Sequence, residues 1–309
     1  MAQSFATEAR PFLKWAGGKG QLLAQLAARF PPELGRGEIR RYVEPFLGGG
    51  AVCLAVAQRY AVTEAYLSDA NPELALVYRV VQRDVEALIA RLAEQERRYL
   101  AAPETDRRDE YYAVRDAYNR SRAPIDSTCY TPEWVARAGQ MIFLNKTCFN
   151  GLYRLNRRGE FNVPFGRYRR PAICGADNLR RVSALLQRAE IACAPFAACA
   201  HRVDAHTFVY FDPPYRPLSA TARFTAYSAR KFDDDDQIAL ADFFAHLHDT
   251  TGAKLMLSNS DPANIDPTDD FFSRHYGRFH LHRVAATRMI NVQADKRGKI
   301  SELVITNYA

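Results

Sequence analysis

Short, mostly apolar runs alternate along this chain with segments whose apolar residues recur at helical spacing. The runs that begin at Tyr42, Glu64, Thr207 and Lys254 are rich in β-branched and aromatic residues, which is typical of buried strands. Residues 51–57, which follow one such run, have the apolar composition of a helix packed against a sheet. This alternation predicts an α/β fold with a Rossmann-like sheet.

The rest of the chain is predicted to be largely helical. Residues 73–145 contain many arginines and tyrosines at helical spacing, with a new helix starting at Thr131-Pro132-Glu133, and a helical linker continues to about Ala194. The four aspartates at 233–236 are expected to start a helix rather than bind a metal, because adjacent carboxylates in a first turn cannot converge on one ion. Two strands, residues 288–290 and 302–306, are expected to close the sheet around the polar loop 291–301.

Composition narrows the class of protein only slightly. The 309 residues are 48% hydrophobic and 25% charged, which is ordinary for a globular protein. The six cysteines include no Cys-x-x-Cys pair, so neither zinc nor a disulfide framework is indicated. We find no signal-peptide pattern and no apolar run of transmembrane length, and therefore expect a soluble cytoplasmic protein without a metal.

The most informative segment is residues 207–215, Thr-Phe-Val-Tyr-Phe-Asp-Pro-Pro-Tyr. A buried strand is predicted to stop at Asp212, because Pro213 and Pro214 cannot continue it. In open α/β sheets, ligands bind at the carboxyl ends of strands. The Asp212 carboxylate and the Pro213 carbonyl could hold the two protons of an exocyclic amine while Tyr215 stacks on its base, so that the amine attacks a methyl group on a sulfonium. A plain Asp-Pro-Pro turn is an equally good interpretation of these residues alone.

Two glycine-rich loops near the start of the chain precede candidate ligand-binding residues. Gly17-Gly18-Lys19 lacks the spacing of a phosphate loop, but a glycine turn entering a helix still presents N–H groups to an anion. The stretch Glu44-Pro45-Phe46-Leu47 leads into Gly48-Gly49-Gly50, and the next strand ends at Asp69, 19 residues after Gly50. An acid at that distance is placed to accept hydrogen bonds from ribose hydroxyls. A capping role is the alternative for Asp69.

Most of the excess positive charge lies in one segment. The whole chain has a net charge of +7, and between Asn150 and Arg170 six arginines stand against one acid, Glu160, which gives 6 − 1 = +5. Alternating residues around Arg158-Gly159 predict a β-hairpin. Arginine, asparagine and aromatic side chains on such a hairpin suit duplex DNA, with a solvated basic hairpin as the alternative.

The order of these parts resembles the DNA adenine-N6 methyltransferases of the alpha group, the D12 class, and most closely the Dam family that methylates adenine in GATC. The likeness extends from Phe12 to Tyr308, and residues 12–19, 43–50, 150–168 and 212–215 carry it, with 217–227 in support. Departures are Phe149 where a tyrosine is common, variation at Tyr153 and Leu155, and the all-glycine first loop.

The resemblance implies a role for each matching residue. S-adenosylmethionine would be bound by Trp15, Lys19, Asp69 and Asp212, with Phe46, Gly48 and Gly50 near it. Methyl transfer would use Asp212, Pro213, Pro214 and Tyr215. Double-stranded DNA would be contacted by Lys14, Phe149, Asn150, Leu152, Arg154, Asn156, Pro164, Arg167 and Tyr168. Of these, Lys14 and Tyr168 would read an outer base pair, Leu152, Arg154 and Pro164 would read the others, and Asn150 would hold phosphate beside the flipped base.

These expectations amount to a catalytic, S-adenosylmethionine-binding domain of residues 1–76 and 172–309, interrupted by a DNA target-recognition domain of residues 77–171. Residues 216–232 are expected to form a mobile loop over the site. A cognate restriction endonuclease acting separately is left open as a partner. An N4-cytosine or glutamine-amide methyltransferase could share the Asp-Pro-Pro-Tyr sequence, and a catalytically silent DNA-binding relative could share the hairpin. A C5-cytosine enzyme is excluded, because it needs a nucleophilic cysteine, typically after proline, and the chain has no Pro-Cys pair.

Overall fold

A seven-stranded mixed sheet runs through the part of the chain that the computed structural model describes, which is residues 8–121, 130–217, 232–287 and 299–309. The strand order is β3-β2-β1-β4-β5-β7-β6, and β7 is antiparallel to both of its neighbours while the other pairs are parallel. The strands are β1 (Arg41–Glu44), β2 (Glu64–Asp69), β3 (Ala189–Cys193), β4 (Thr207–Phe211), β5 (Lys254–Ser260), β6 (His280–Thr287) and β7 (Lys299–Thr306).

Helices cover both faces of this sheet. They are α1 (Leu23–Ala27), α2 (Pro32–Gly35), α3 (Ala51–Arg59), α4 (Pro72–Arg83), α5 (Val85–Ala101), α6 (Glu104–Arg120), α7 (Trp134–Thr147), α8 (Ala176–Leu186), α9 (Asp234–Thr251) and α10 (Phe271–Tyr276). Local sequence explains several starts. Asn71 caps α4 in front of Pro72, and Asp233 forms a reciprocal capping box with Asp236 at the start of α9, so the predicted helix-initiating role of this acidic run is confirmed.

Strand β4 lies at the centre of the sheet, between β1 and β5. All of its residues are buried, with Phe208 and Tyr210 in the hydrophobic cluster on one face and Val209 and Phe211 in the cluster on the other. Because side chains alternate along a strand, burial of both faces requires a continuous apolar run. The predicted buried strand is therefore confirmed, and it delivers Asp212 to the carboxyl edge of the sheet.

The helical segment packs into the same core as the sheet. Arg137 of α7 forms a buried ion pair with Glu73 of α4 and donates to the carbonyl of Tyr118 at 3.1 Å. One hydrophobic cluster contains residues of α4, α5, α6 and α7 together with β1 and β4. The division at residues 77 and 171 stays a prediction.

Three predicted elements agree with the structure only in part. The linker to Ala194 is helical only through α8, and it contains the edge strand β3, whose short Ala-Glu-Ile-Ala-Cys run is only partly buried and so gives a weak strand pattern. The predicted strand at residues 302–306 is confirmed as part of β7, which pairs with β5 and β6, whereas the strand predicted at residues 288–290 lies outside the described residues. The basic segment does turn back at the predicted Arg158-Gly159, where the Asn156 N–H donates to the Glu160 carbonyl at 2.9 Å. Its two arms are joined by isolated antiparallel bridges, Cys148 with Phe165 and Leu155 with Phe161, rather than by a continuous ladder.

Two further predictions fall mainly outside the described residues. Of the loop predicted at 216–232, only 216, 217 and 232 are described, and of the polar loop at 291–301 only 299–301.

Candidate active site and DNA-binding surface

Asp212 lies directly after β4 and forms an ion pair with Lys19, whose Nζ is 2.6 Å from Oδ1 of Asp212. The Asp212 side chain is 19% exposed and that of Lys19 only 3%. Burial raises the pKa of Asp212, and the Lys19 ammonium opposes this shift. The ion pair thus favours a charged carboxylate, a hydrogen-bond acceptor, at the end of the central strand.

Lys19 also ties the amino-terminal segment to the turn after β4. Its Nζ donates to the Gly17 carbonyl at 2.7 Å and lies 4.6 Å from the centre of the Tyr215 ring. The sequence predicted that the N–H groups of the Gly17-Gly18-Lys19 turn face an anion; the contact with the Asp212 carboxylate in the structure comes instead from the Lys19 ammonium.

Tyr215 is held by a residue from the far end of the chain. Its hydroxyl donates to Oε2 of Glu302 in β7. Sequence reasoning did not identify Glu302, because nothing in the local pattern of β7 distinguishes it from a surface strand residue. The contact fixes the ring whose predicted role is stacking on a base.

A second carboxyl group, on Glu44, lies at the adjacent strand end. Glu44 is 2% exposed, and the Tyr42 hydroxyl donates to its Oε2 at 2.7 Å. Burial raises the pKa of Glu44 to about 8, although the hydrogen bond from Tyr42 lowers it. Glu44 is therefore mostly protonated at neutral pH, whereas the ion pair with Lys19 favours the charged form of Asp212.

Asp69 organises the first glycine loop. Its Oδ2 accepts from the Gly48 N–H at 3.0 Å and its Oδ1 from the Asn71 N–H at 2.9 Å. Asp69 keeps some exposure. Burial nevertheless raises its pKa to about 6, although the hydrogen bonds from these two N–H groups lower it. The ribose role remains a prediction, and the structure adds a role in holding the loop.

The loop itself requires glycine at two of the predicted site positions. Gly48 and Gly50 have φ of 48° and 70°, in the left-handed region that favours glycine. A Cβ on Gly50 would lie 2.5 Å from the Tyr78 hydroxyl, and one on Gly48 would lie 3.1 Å from the Trp15 ring. Trp15 thus packs directly on the loop.

Aromatic rings also cluster around Phe46, which lies just before the glycine loop. The Phe46 ring stacks on Phe196, with centroids 5.6 Å apart and planes inclined by 26°, and meets Phe232 edge-on at 5.7 Å. The sequence prediction included Phe46 but missed Phe196 and Phe232, which come from distant segments. A flat apolar ligand group suits such a cluster.

The basic segment is anchored by alternate aromatic residues. Tyr153, Phe161 and Phe165 are buried, whereas Arg154, Pro164 and Arg167 between and beyond them are exposed. The Tyr153 ring lies 5.2 Å from that of Trp15 and so joins the segment to the glycine loop. The segment is therefore a fixed surface that presents polar side chains outward.

An exposed aromatic residue lies where this segment begins, shortly after α7. Phe149 is 51% exposed, and its N–H donates to the Pro164 carbonyl at 2.8 Å. The next residue, Asn150, has φ of 55°, which is uncommon for a residue other than glycine. An exposed phenyl ring on a constrained backbone is a feature expected of a binding surface.

Interactions within the protein hold several of the residues that are predicted to contact DNA. The Lys14 ammonium lies 4.5 Å from the Tyr168 ring centre, and Asn145 holds both the N–H and the carbonyl of Lys14 at 2.8 Å. Arg154 donates from Nε to Asn162 Oδ1 at 2.8 Å. Sequence reasoning missed Asn145, which is 2% exposed and also donates to the Gly151 carbonyl.

Asn156 serves the turn of the basic segment. Its Oδ1 accepts from the N–H groups of Arg158 and Glu160 at 2.9 and 3.0 Å. The remaining predicted positions differ in exposure: Leu152 and Tyr168 are half-buried and Arg167, with φ of 54°, is exposed. The structure thus brings Lys14, Tyr168, Phe149 and Asn150 together on one surface, the candidate recognition surface. It brings Lys19, Asp212 and Tyr215 together around the turn after β4.

Within the described ranges, the helices are too short or too polar to cross a bilayer. The same residues contain no group of three or more histidine, cysteine or acidic side chains arranged to hold a metal ion.

Comparison with known proteins gives consistent results. Residues 15–290 match the family described as D12 class N6 adenine-specific DNA methyltransferase. The chain is 48% identical to the Type II methyltransferase M.MjaIII of Methanocaldococcus jannaschii, over 97% of this chain and 100% of that protein. It is 35% identical to the Type II methyltransferase M1.LlaDCHI of Lactococcus lactis subsp. cremoris (97% and 95% covered) and 37% identical to the DNA adenine methylase of Salmonella typhi (96% and 94%).

These matches cover nearly the whole chain, and the family match includes the glycine loop, the basic segment and the turn after β4. They confirm the resemblance found in the sequence. The chain belongs to the D12 class of N6 adenine-specific DNA methyltransferases.

Proposed function

We propose that this enzyme transfers a methyl group from S-adenosylmethionine to N6 of an adenine flipped out of duplex DNA, within the sequence GATC. The observation that carries the proposal is the Asp212–Lys19 ion pair beside the Pro213 carbonyl and the fixed Tyr215 ring. Lys19 engages Oδ1 of Asp212, so Oδ2 accepts one amino proton and the Pro213 carbonyl accepts the other. Both contacts return lone-pair density to N6.

The residues around the glycine loop fit S-adenosylmethionine. Gly48 and Gly50 leave room where a Cβ would collide with Trp15 or Tyr78. The rings of Phe46, Phe196 and Phe232 offer a flat apolar surface for the adenine of the cofactor. Asp69 would accept from the ribose hydroxyls. The cofactor would supply the methyl group on a sulfonium and leave as the neutral thioether, the extra proton on N6 would pass to solvent, and the protein would supply position and charge.

The basic segment supports a role in DNA recognition and base extrusion. Flipping a base costs a few kcal/mol, which protein contacts must offset. The exposed Phe149 ring would fill the space left in the base stack, Asn150 would hold the neighbouring phosphate, and Tyr215 would stack on the extruded adenine. Lys14 and Tyr168 would read one outer pair of GATC, and Leu152, Arg154 and Pro164 would read the others.

Replacement of Asp69 tests the cofactor site. We expect Asp69→Ala to weaken S-adenosylmethionine binding about tenfold, or roughly 1.4 kcal/mol, because the ribose loses a charged acceptor. Calorimetry without DNA measures this affinity. Unchanged affinity would show that Asp69 only holds Gly48 and Asn71.

The pH dependence of the same binding step gives a second prediction. Because burial raises the pKa of Asp69 to about 6, its carboxylate gains a proton as the pH falls through 6 and then accepts hydrogen bonds less well. We expect the affinity of the parent for S-adenosylmethionine to decline below pH 6 relative to Asp69→Asn. Parallel pH profiles for the two proteins would contradict this assignment.

The target base is tested with methyl-labelled S-adenosylmethionine and a GATC duplex. After enzymatic digestion of the DNA, nucleoside mass spectrometry should find the label in N6-methyladenine. Label in N4-methylcytosine would overturn the proposed target, and no label in DNA would overturn the proposed reaction.

A further inference from the structure

The turn after β4 has too few donors to fix its own backbone. Pro213 and Pro214 have no N–H, so neither can donate a hydrogen bond within a turn that must hold a carbonyl in one direction. The proposed function makes strong demands here, because the Pro213 carbonyl and Tyr215 must both meet the same base. Contacts from outside the turn must therefore determine its geometry.

Two buried amide side chains supply such contacts. Gln237 of α9 is 1% exposed and donates from Nε2 to the Pro214 carbonyl at 2.9 Å. Asn259 of β5 is fully buried, and its Nδ2 donates to Gln237 Oε1 at 3.0 Å. Its Oδ1 accepts from the Arg216 N–H at 3.1 Å. The two side chains therefore connect the middle of the turn to its end.

The orientation of the Asn259 and Gln237 side-chain amides follows from the backbone groups that they contact. The N–H groups of Arg216 and Ser260 both need an acceptor, which requires Oδ1 of Asn259 to face them. Nδ2 must then face Gln237, whose Oε1 accepts, and this leaves Nε2 of Gln237 as the donor to Pro214. Ser260 Oγ donates to the Arg216 carbonyl at 2.8 Å and completes the attachment.

We propose that Gln237 and Asn259 are positioning residues for methyl transfer, which hold the Asp-Pro-Pro-Tyr turn so that the Pro213 carbonyl and Tyr215 face the target base. The inference rests on the proposed function of that turn. Neither amide touches the substrate. Both act through the Pro214 carbonyl and the Arg216 N–H, and their loss should slow the chemical step more than it weakens binding.

The first test replaces Gln237 with methionine, which keeps the approximate volume and removes the amide. Single-turnover methylation at saturating S-adenosylmethionine and DNA should slow at least tenfold, while both dissociation constants stay within about threefold of the parent. Gln82→Met is the matched control, because Gln82 also donates to backbone carbonyls, those of Leu186 and Ala189, far from the turn. It should keep the parental single-turnover rate.

The second test uses Gln237→Glu. A protonated glutamic acid can donate to the Pro214 carbonyl and accept from Asn259 as glutamine does. A carboxylate has no proton to donate, and its negative oxygens repel the carbonyl oxygen. The rate of this variant relative to the parent should therefore rise as the pH falls from 8 to 6, since burial raises the pKa of a carboxyl into this range. The charged groups around the turn are common to both proteins: Lys19, Asp212, Arg216, Asp234, Asp269 and Glu302.

A third measurement links the two amides. Asn259→Asp keeps the acceptor for Arg216 but cannot donate to Gln237, so the double variant with Gln237→Met should be no slower than the slower single variant. The proposal is overturned if Gln237→Met keeps its rate within threefold, if it slows no more than Gln82→Met, or if the Gln237→Glu ratio does not change with pH. Loss of Asp212 without effect on turnover would instead overturn the proposed function.

Discussion

Asp212→Ala is expected to reduce methyl transfer by about 10²- to 10³-fold, the size of loss seen when one preorganised polar contact is removed from an active site. The substitution removes the charged acceptor for the N6 amine and also leaves Lys19, which is 3% exposed, without its carboxylate partner. DNA affinity should change little, because the recognition surface lies on other residues. Single-turnover methylation and DNA binding measured on the same preparation test both expectations.

A second variant separates chemistry from stability at this position. Asp212→Asn keeps the side-chain volume and one acceptor oxygen but loses the charge that faces Lys19, so we expect a smaller loss of rate than with alanine. Thermal unfolding of both variants shows whether the unpaired Lys19 destabilises the fold. Turnover within a few-fold of the parent in folded Asp212→Ala would contradict the assigned role.

Arg154→Ala is expected to relax sequence preference at one position of GATC. Arg154 is exposed and its guanidinium is oriented by Asn162, with Nε 2.8 Å from Oδ1 and Nη2 3.2 Å from the backbone carbonyl. A guanidinium held in this way can contact guanine with two donors, a pair worth about 1–3 kcal/mol of discrimination against a wrong base. The variant should therefore methylate near-cognate sites at rates closer to that of GATC.

Arg169→Ala is the matched control for this experiment. Arg169 is an exposed arginine of the same basic segment, and we assign it to phosphate. Its loss should weaken binding to all sequences alike and flatten the salt dependence by about one unit of slope. Methylation rates over every single-base variant of GATC distinguish the two roles. If Arg154→Ala slows every site equally, Arg154 is another phosphate contact.

Local sequence was sufficient for the parts of the site that lie on one continuous segment. The buried run of β4 and its proline stop predicted where Asp212 lies, because burial on both faces leaves a direct composition signal. Gly48, Gly50 and Asp69 were predicted from spacing, and the structure shows them in one hydrogen-bonded loop. The basic segment was predicted as a β-hairpin, and it turns where predicted, but isolated bridges and the buried Tyr153 and Phe161 side chains hold it rather than a continuous ladder.

The residues that sequence reasoning missed reach the site through tertiary packing. Glu302, Phe196, Gln237 and Asn259 come from four separate elements, and each looks ordinary in its local pattern. The ion pair between Lys19 and Asp212 depends on how the amino-terminal segment folds over β4, which no periodicity encodes. Strand β3 was missed because an edge strand of partly exposed residues lacks the continuous apolar run that marked β4.

The central claim is that the enzyme methylates adenine in GATC. Plasmid DNA incubated with the protein and S-adenosylmethionine, then digested with GATC-specific nucleases that differ in their tolerance of N6-methyladenine, tests it most directly. We predict resistance to the nuclease that methylation blocks and cleavage by the nuclease that requires methylation. Plasmid incubated with Asp212→Ala should be cleaved like untreated plasmid by both nucleases. Cleavage of the treated plasmid identical to that of untreated DNA, alongside methyl incorporation at other sequences, would contradict the claim.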